Sequence, residues 1–156
     1  MKVGIIGPES TGKSSLARYL ARRYNGTYIP EYAREYVERK GSTEVTWDEL
    51  CEIAKYQIEE LERLRSNSEA IYFFDTELIV TKVWFDYAFG RVPEWLNEAI
   101  CRYPMDVYLL TYPDLPWIPD PARSNGSDAI RLELFLRYES EIQALNIPYY
   151  IIQHEV

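Results

Sequence analysis

A chain of 156 residues with 25 acidic and 17 basic side chains, a formal net charge of −8, is sized for one domain and one active site. It is a poor partner for nucleic acid or an anionic membrane, because both call for clustered Lys and Arg. No apolar run approaches the roughly 20 residues that span a bilayer, and the first residues enter a strand rather than a signal peptide, so a cytoplasmic location is expected.

Residues 2–6 read as the first strand. They run directly into Gly7-Pro8-Glu9-Ser10-Thr11-Gly12-Lys13-Ser14, a GxxxxGK[ST] pattern in the strand–loop–helix setting that gives it meaning. Glycines let successive backbone N–H groups and the next helix N-terminus approach phosphate oxygens. Lys13 is expected to reach the β- and γ-phosphates of ATP and Ser14 to ligate Mg²⁺. The candidate phosphate-binding set is Gly7, Glu9, Ser10, Thr11, Gly12, Lys13, Ser14 and Ser15. Helical periodicity at 16, 17, 20 and 21 predicts a helix over 13–24.

A short strand at 26–29 and a helix at 31–40 follow. Glu31 sits at the expected carboxyl edge of the sheet, where a carboxylate can orient an acceptor hydroxyl and take its proton. Tyr32 and Arg34 offer an aromatic face and a charge to a nucleoside. The same segment also reads as an amphipathic helix, with Tyr32 and Tyr36 in the core and Arg34 paired to a nearby acid. The helix at 46–66 is marked by Trp47, Leu50, Cys51, Ala54, Ile58 and Leu61 at three- and four-residue spacing, opened by a capping box of Thr46 and Glu49.

The run at 70–74 is a continuous apolar strand closed by Asp75, the form of a Walker B segment whose acid holds Mg²⁺. Thr76 is the expected N-cap of a helix at 77–89, and Glu77 on its first turn is either a second substrate-facing acid or a complement to the helix dipole. Gly90 is the expected stop, with Pro93 in the first turn of a helix at 93–102. In the 77–89 helix Trp84 and Phe85 read as packing. Cys51 and Cys101 fall on predicted helices without a CxxC partner and are expected to be buried apolar side chains, and the lone His154 supports neither a triad nor a metal site.

A strand at 107–111 leads to Tyr112–Asp128, which holds four prolines and one glycine in 17 residues and reads as an ordered lid over the site. Arg123 within it and Arg131 just beyond are candidates to close over the γ-phosphate. Trp117, within it, is the aromatic least expected in the core. A helix at 128–145 and a strand at 149–153 complete the chain. This alternation predicts an α/β fold with helices on both faces of a parallel sheet and the ligand at the carboxyl ends of the strands.

Taken together, GPESTGKSSLAR at 7–18, PEYAREYVE at 30–38, FFDTELIVTKVWFDYAFG at 73–90, PDLPWIPDPARSNG at 113–126 with Arg131, and NIPYYII at 146–152 resemble the kinase domain of NadR-type ribosylnicotinamide kinases and related AAA-type P-loop ATPases. The resemblance covers nearly the whole chain. It implies a nucleotide-kinase-like three-layer P-loop NTPase fold with sheet order 2-3-1-4-5 and a lid loop. ATP and Mg²⁺ are the implied cofactors, and phosphorylation of nicotinamide riboside to nicotinamide mononucleotide the implied reaction. Carried over by position, Gly12, Lys13 and Ser14 serve phosphate and metal, Glu31 and Asp75 the acceptor ribose and metal, and Arg123 and Arg131 the lid. No HxGH-like nucleotidyltransferase motif or DNA-binding module is present, so a stand-alone domain over 1–156 is expected. Where bifunctional relatives carry an aromatic before the Glu-Tyr pair, this chain has Pro30, with Tyr28 and Tyr32 as the nearest substitutes. The chain ends at Val156 without a candidate for the adenine contacts. The competing function is a regulatory ATPase that acts as a nucleotide switch, which needs Asp75 and the metal but no acceptor pocket.

Overall fold

The computed structural model describes residues 1–9, 11–67, 69–114 and 128–153. Among them, β1 (Lys2–Ile6), β2 (Thr27–Ile29), β3 (Tyr72–Asp75), β4 (Val107–Thr111) and β5 (Tyr149–Ile152) form one sheet of order β2-β3-β1-β4-β5. Every strand pair is parallel. The connections are α1 (Lys13–Arg23), α2 (Tyr32–Lys40), α3 (Trp47–Leu64), α4 (Leu78–Phe89), α5 (Glu94–Arg102) and α6 (Asp128–Ala144).

Strand alternation divides the core in two. Val3, Ile5 and Phe73 point to α1 and pack on Ala17 and Ala21, while Ile6, Phe74, Tyr108 and Leu110 point to the opposite layer, where α3, α4, α5 and α6 gather. Helix α4 is the hub of that layer and touches α3, α5 and α6. Its Leu78, Ile79, Val80, Thr81, Val83 and Phe85 are all buried, so it reads as apolar around most of its circumference.

Element limits differ from the sequence reading where tertiary pairing decides them. β3 starts at Tyr72 and runs through Asp75, because the register with β1 carries on to Ile5 opposite Asp75. The Thr46–Glu49 capping box forms as expected, and α4 stops at Gly90 in the left-handed conformation. Pro93 occupies the N-cap of α5 instead of its first turn, since its ψ of 136° is extended. Thr76 does not cap α4. It adopts a left-handed φ of 72°, and Glu77 takes the cap by accepting a hydrogen bond from the Ile79 N–H at 2.9 Å. A β-branched residue at positive φ costs about 1–3 kcal/mol.

On α3 the buried stripe is Leu50, Ile53, Ala54, Gln57 and Leu61, which leaves Cys51 and Ile58 half-buried at its margin. Buried Gln57 accepts a hydrogen bond from Thr81 Oγ1 at 2.6 Å, so its carbonyl is not orphaned. Cys101 is exposed, contrary to the packing expectation, because α5 turns Leu96, Ala99 and Ile100 inward and leaves position 101 outside.

Gly4 is fixed by contact. A Cβ at this position would lie 2.7 Å from Tyr108 Cε1 and 3.2 Å from Met105 Cγ, so the Tyr108 ring occupies the space over the central strand. Gly4→Ala should therefore destabilise the fold by about 1–3 kcal/mol, the usual cost of overpacking. Chemical denaturation would register this as a lower midpoint at unchanged slope, and an unaltered midpoint would show that the ring shifts freely.

Candidate active site

The register of β1 beside β3 puts the end of each strand next to the other, so the loop after Ile6 and the carboxylate of Asp75 converge. The loop is built by close approach as much as by turn chemistry. A Cβ on Gly7 would fall 2.0 Å from Thr111 Oγ1 at the end of β4, and the Thr111 hydroxyl meets that of Thr11 at 2.6 Å. Thr11 Oγ1 also bonds the Pro8 carbonyl at 2.7 Å, and the buried Lys13 ammonium donates to the same carbonyl at 3.0 Å. Gly12, at φ 81°, opens α1, and the macrodipole of this helix starts directly behind the loop. Ser10 lies outside the described residues. Ser15 follows on the exposed side of the first turn of α1.

Asp75 is 1% exposed. Its Oδ2 accepts hydrogen bonds from Ser14 Oγ at 2.5 Å and from the Tyr28 hydroxyl at 2.9 Å. Its Oδ1 is buried with no hydrogen-bond partner among the described residues. A carboxylate oxygen left over beside a serine hydroxyl, next to a phosphate loop, is the donor set that suits Mg²⁺, which takes one or two protein oxygens and fills its shell with phosphate and water. Ser14 and Asp75 therefore fit the ion, and Mg²⁺ bound there would neutralise phosphate charge. Burial, with the Asp75 charge next, pushes the Tyr28 phenol up to about 12, so it remains a donor to Asp75 at any ordinary pH. The Arg18 guanidinium lies 5.1 Å from the centre of the Tyr28 ring.

Two clefts meet at Glu31, the N-cap residue of α2, whose side chain is 7% exposed. The polar one, of about 470 Å³, is lined by Ser14, Arg18, Tyr28, Pro30, Glu31, Arg34, Glu35, Glu38 and Asp75. The other, of about 300 Å³, lies between α2, α3 and α4 and is mostly apolar, with Val37, Val45, Leu50, Ile53, Val80, Trp84, Tyr87 and Phe89 in its walls. Its polar lining consists of Glu9, Glu31, Arg34, Thr43, Thr76 and Thr81. Arg34 borders both clefts and pairs with Glu38 at 3.2 Å.

The other sequence candidates are placed differently. Tyr32 lies outside both clefts, stacked on Tyr56 with ring centres 3.7 Å apart. Glu77 also lines neither, and its buried carboxyl accepts from the Ile79 N–H and faces the Tyr108 hydroxyl. Arg131 is fully buried on α6, 3.5 Å from Asp128. Arg123 and Trp117, with most of the expected lid, lie outside the described residues, as does His154. Sequence reading missed Thr111, Thr76 and the Tyr28–Asp75 bond. Trp84 packs against the larger core as expected, and, half-buried one turn beyond Val80, it also lines the apolar cleft.

A glycine-rich loop between the central strand and its helix, with an acid closing the adjacent strand in a sheet of order 2-3-1-4-5, defines a P-loop NTPase of nucleotide-kinase architecture. Residues 2–156 match the family model described as an AAA domain, and the chain belongs to that family. It is 28% identical over 156 residues to the trifunctional NAD biosynthesis/regulator protein NadR of Escherichia coli strain K12, with 98% of this chain and 38% of that protein aligned. A crystal structure of NadR in complex with NAD and AMP-PNP superposes with a TM-score of 0.73 at 25% identity, covering 99% of this chain and 44% of the other. One of NadR in complex with NR gives 0.73 at 26%, covering 96% and 42%. The chain thus spans less than half the length of these relatives.

Two outcomes follow from this geometry. Asp75→Asn is expected to weaken the Mg²⁺-dependent part of ATP affinity about tenfold or more while metal-free ATP binding changes little; calorimetric titration with and without Mg²⁺ separates the two, and equal losses would remove Asp75 from the metal shell. Burial pushes the Glu77 carboxyl from 4.5 up to about 7, so the folded state holds a proton that the unfolded chain releases. Stability then falls as pH rises from about 4.5 to about 7, by about 3 kcal/mol for that shift. Glu77→Gln should flatten that part of the stability–pH curve, and an unchanged slope would show that Glu77 is not its source.

Proposed function

We propose that the chain is an ATP- and Mg²⁺-dependent kinase that phosphorylates a hydroxyl of a nucleoside, with nicotinamide riboside as acceptor and nicotinamide mononucleotide as product. The observation that carries this reading is the buried Glu31 carboxyl standing in the walls of both clefts. The phosphate loop, Ser14 and Asp75 serve the donor side. The cleft beyond Glu31 has mostly apolar walls and, at about 300 Å³, is of the size of a small-ligand pocket.

In this reading Lys13 and the loop amides hold the β- and γ-phosphates, and ATP binds as its Mg²⁺ complex on Ser14 and Asp75. Glu31 accepts the proton of the attacking hydroxyl as the γ-phosphoryl group passes to that oxygen. Trp84, Tyr87 and Phe89 supply an aromatic wall for the base, the surface that Pro30 does not provide. Relatives with this P-loop domain include NadR crystallised with AMP-PNP and with NR, which supports both the donor and the acceptor. A small-molecule nucleoside and a cytoplasmic location complete the reading. Among the described residues no helix is long and apolar enough to cross a membrane.

The test is ADP release by the purified chain with Mg·ATP, alone and with a panel of nucleosides, each product confirmed by mass. Nicotinamide riboside should stimulate release at least tenfold, and Glu31→Gln should cut the stimulated rate about 10²–10⁴-fold while slow hydrolysis without acceptor falls far less. Release that no acceptor alters would make the chain a nucleotide switch.

A further inference from the structure

Three residues other than glycine have positive φ among those described: Asn25 at 53°, Asn146 at 57° and Thr76 at 72°. The two asparagines follow helices α1 and α6 and belong to a residue type that tolerates this region. Thr76 does not. Its backbone is held there from both sides, since its N–H donates to the Ile5 carbonyl at 2.9 Å and the next residue is locked as the cap of α4. A glycine would fit this turn without strain.

What threonine adds is a hydroxyl. Thr76 is 6% exposed, its Oγ1 has no hydrogen-bond partner among the described residues, and its side chain lines the apolar cleft together with Glu9 and Glu31. Buried hydroxyls ordinarily find partners within the protein, and one left unpaired in a residue that lines a ligand-sized cleft can turn to a ligand there by a change of rotamer. The neighbouring carboxylates only accept hydrogen bonds, whereas the Thr76 hydroxyl also donates. A sugar hydroxyl that gives its proton to a carboxylate still has lone pairs to satisfy, and Thr76 is a neutral donor in the same wall.

Resting on the kinase reading above, we infer that Thr76 is a specificity determinant of the acceptor site: its hydroxyl hydrogen-bonds the hydroxyl-bearing part of the acceptor, and its strained backbone is retained because it sets this residue in the cleft wall.

Three variants of the full chain test this, read out by kcat/KM for nicotinamide riboside, KM for ATP and thermal midpoint. Thr76→Val keeps the branched shape and loses the hydroxyl; kcat/KM for the acceptor should fall about tenfold with KM for ATP within about twofold. Thr76→Ser keeps the hydroxyl and should stay within about threefold of wild type. Thr76→Gly should lose as much as Thr76→Val yet melt about 2–4 °C higher, because the turn is relieved. It also answers the question should the valine variant fold poorly. Wild-type kcat/KM in Thr76→Val or Thr76→Gly, a loss in Thr76→Ser as large as in Thr76→Val, or an equal rise in KM for ATP would each overturn the inference while leaving the kinase reading intact. A wild-type chain that phosphorylates no acceptor would remove both.

Discussion

The parallel pairing of β1 with β3 sets Ile5 opposite Asp75 and so lays the phosphate loop beside the acid. Every other feature of the site is arranged around that juxtaposition. Ser14, on the first turn of α1, can reach Asp75 only because α1 packs over these two strands, where Ala17 and Ala21 meet Val3, Ile5 and Phe73. On the far side β4 is paired to β1, and the Thr111–Thr11 contact ties the loop to a third strand. The loop is thus clamped to its sheet by side-chain contacts as well as by its own turns, which is the support that a preorganised anion site needs.

Charge and apolarity are segregated across Glu31. One side of it carries Arg18, Arg34, Asp75 and two further glutamates, the other a wall of valine, leucine, isoleucine and aromatic side chains. A residue at such a boundary faces a polar cleft on one side and a mostly apolar one on the other. Helix α4 contributes to both ends of the apolar cleft, from Val80 to Phe89, so the cleft is built on the element that also organises the larger core. Sites carried on such elements hold their geometry more closely than sites on loops.

Much of this was legible from residue order. The phosphate loop, the five strands and the capping box of α3 are local patterns, set by glycine spacing, short apolar runs and a side-chain-to-backbone bond, and each appears within a residue or two of where those patterns point. The failures are tertiary. Nothing near Thr76 announces that the parallel register will force it into a left-handed turn and hand the cap to Glu77. Tyr28 looks like any strand aromatic until β2 and β3 are paired and its hydroxyl meets Asp75. Trp84 packs on the core as its apolar helix implies, and only the assembled fold shows that it also lines the apolar cleft.

The Tyr108 ring fills the space over Gly4 while its hydroxyl faces the Glu77 carboxyl, so three residues distant in the chain form one lock across three elements. Such a lock restricts drift. An alanine at position 4 fits without strain only alongside a smaller side chain at 108, and a smaller side chain at 108 takes one of its partners from the buried acid at 77. Homologues of this chain should consequently change these positions as a set, and an isolated exchange at one of them marks a lineage in which the central strand has been repacked.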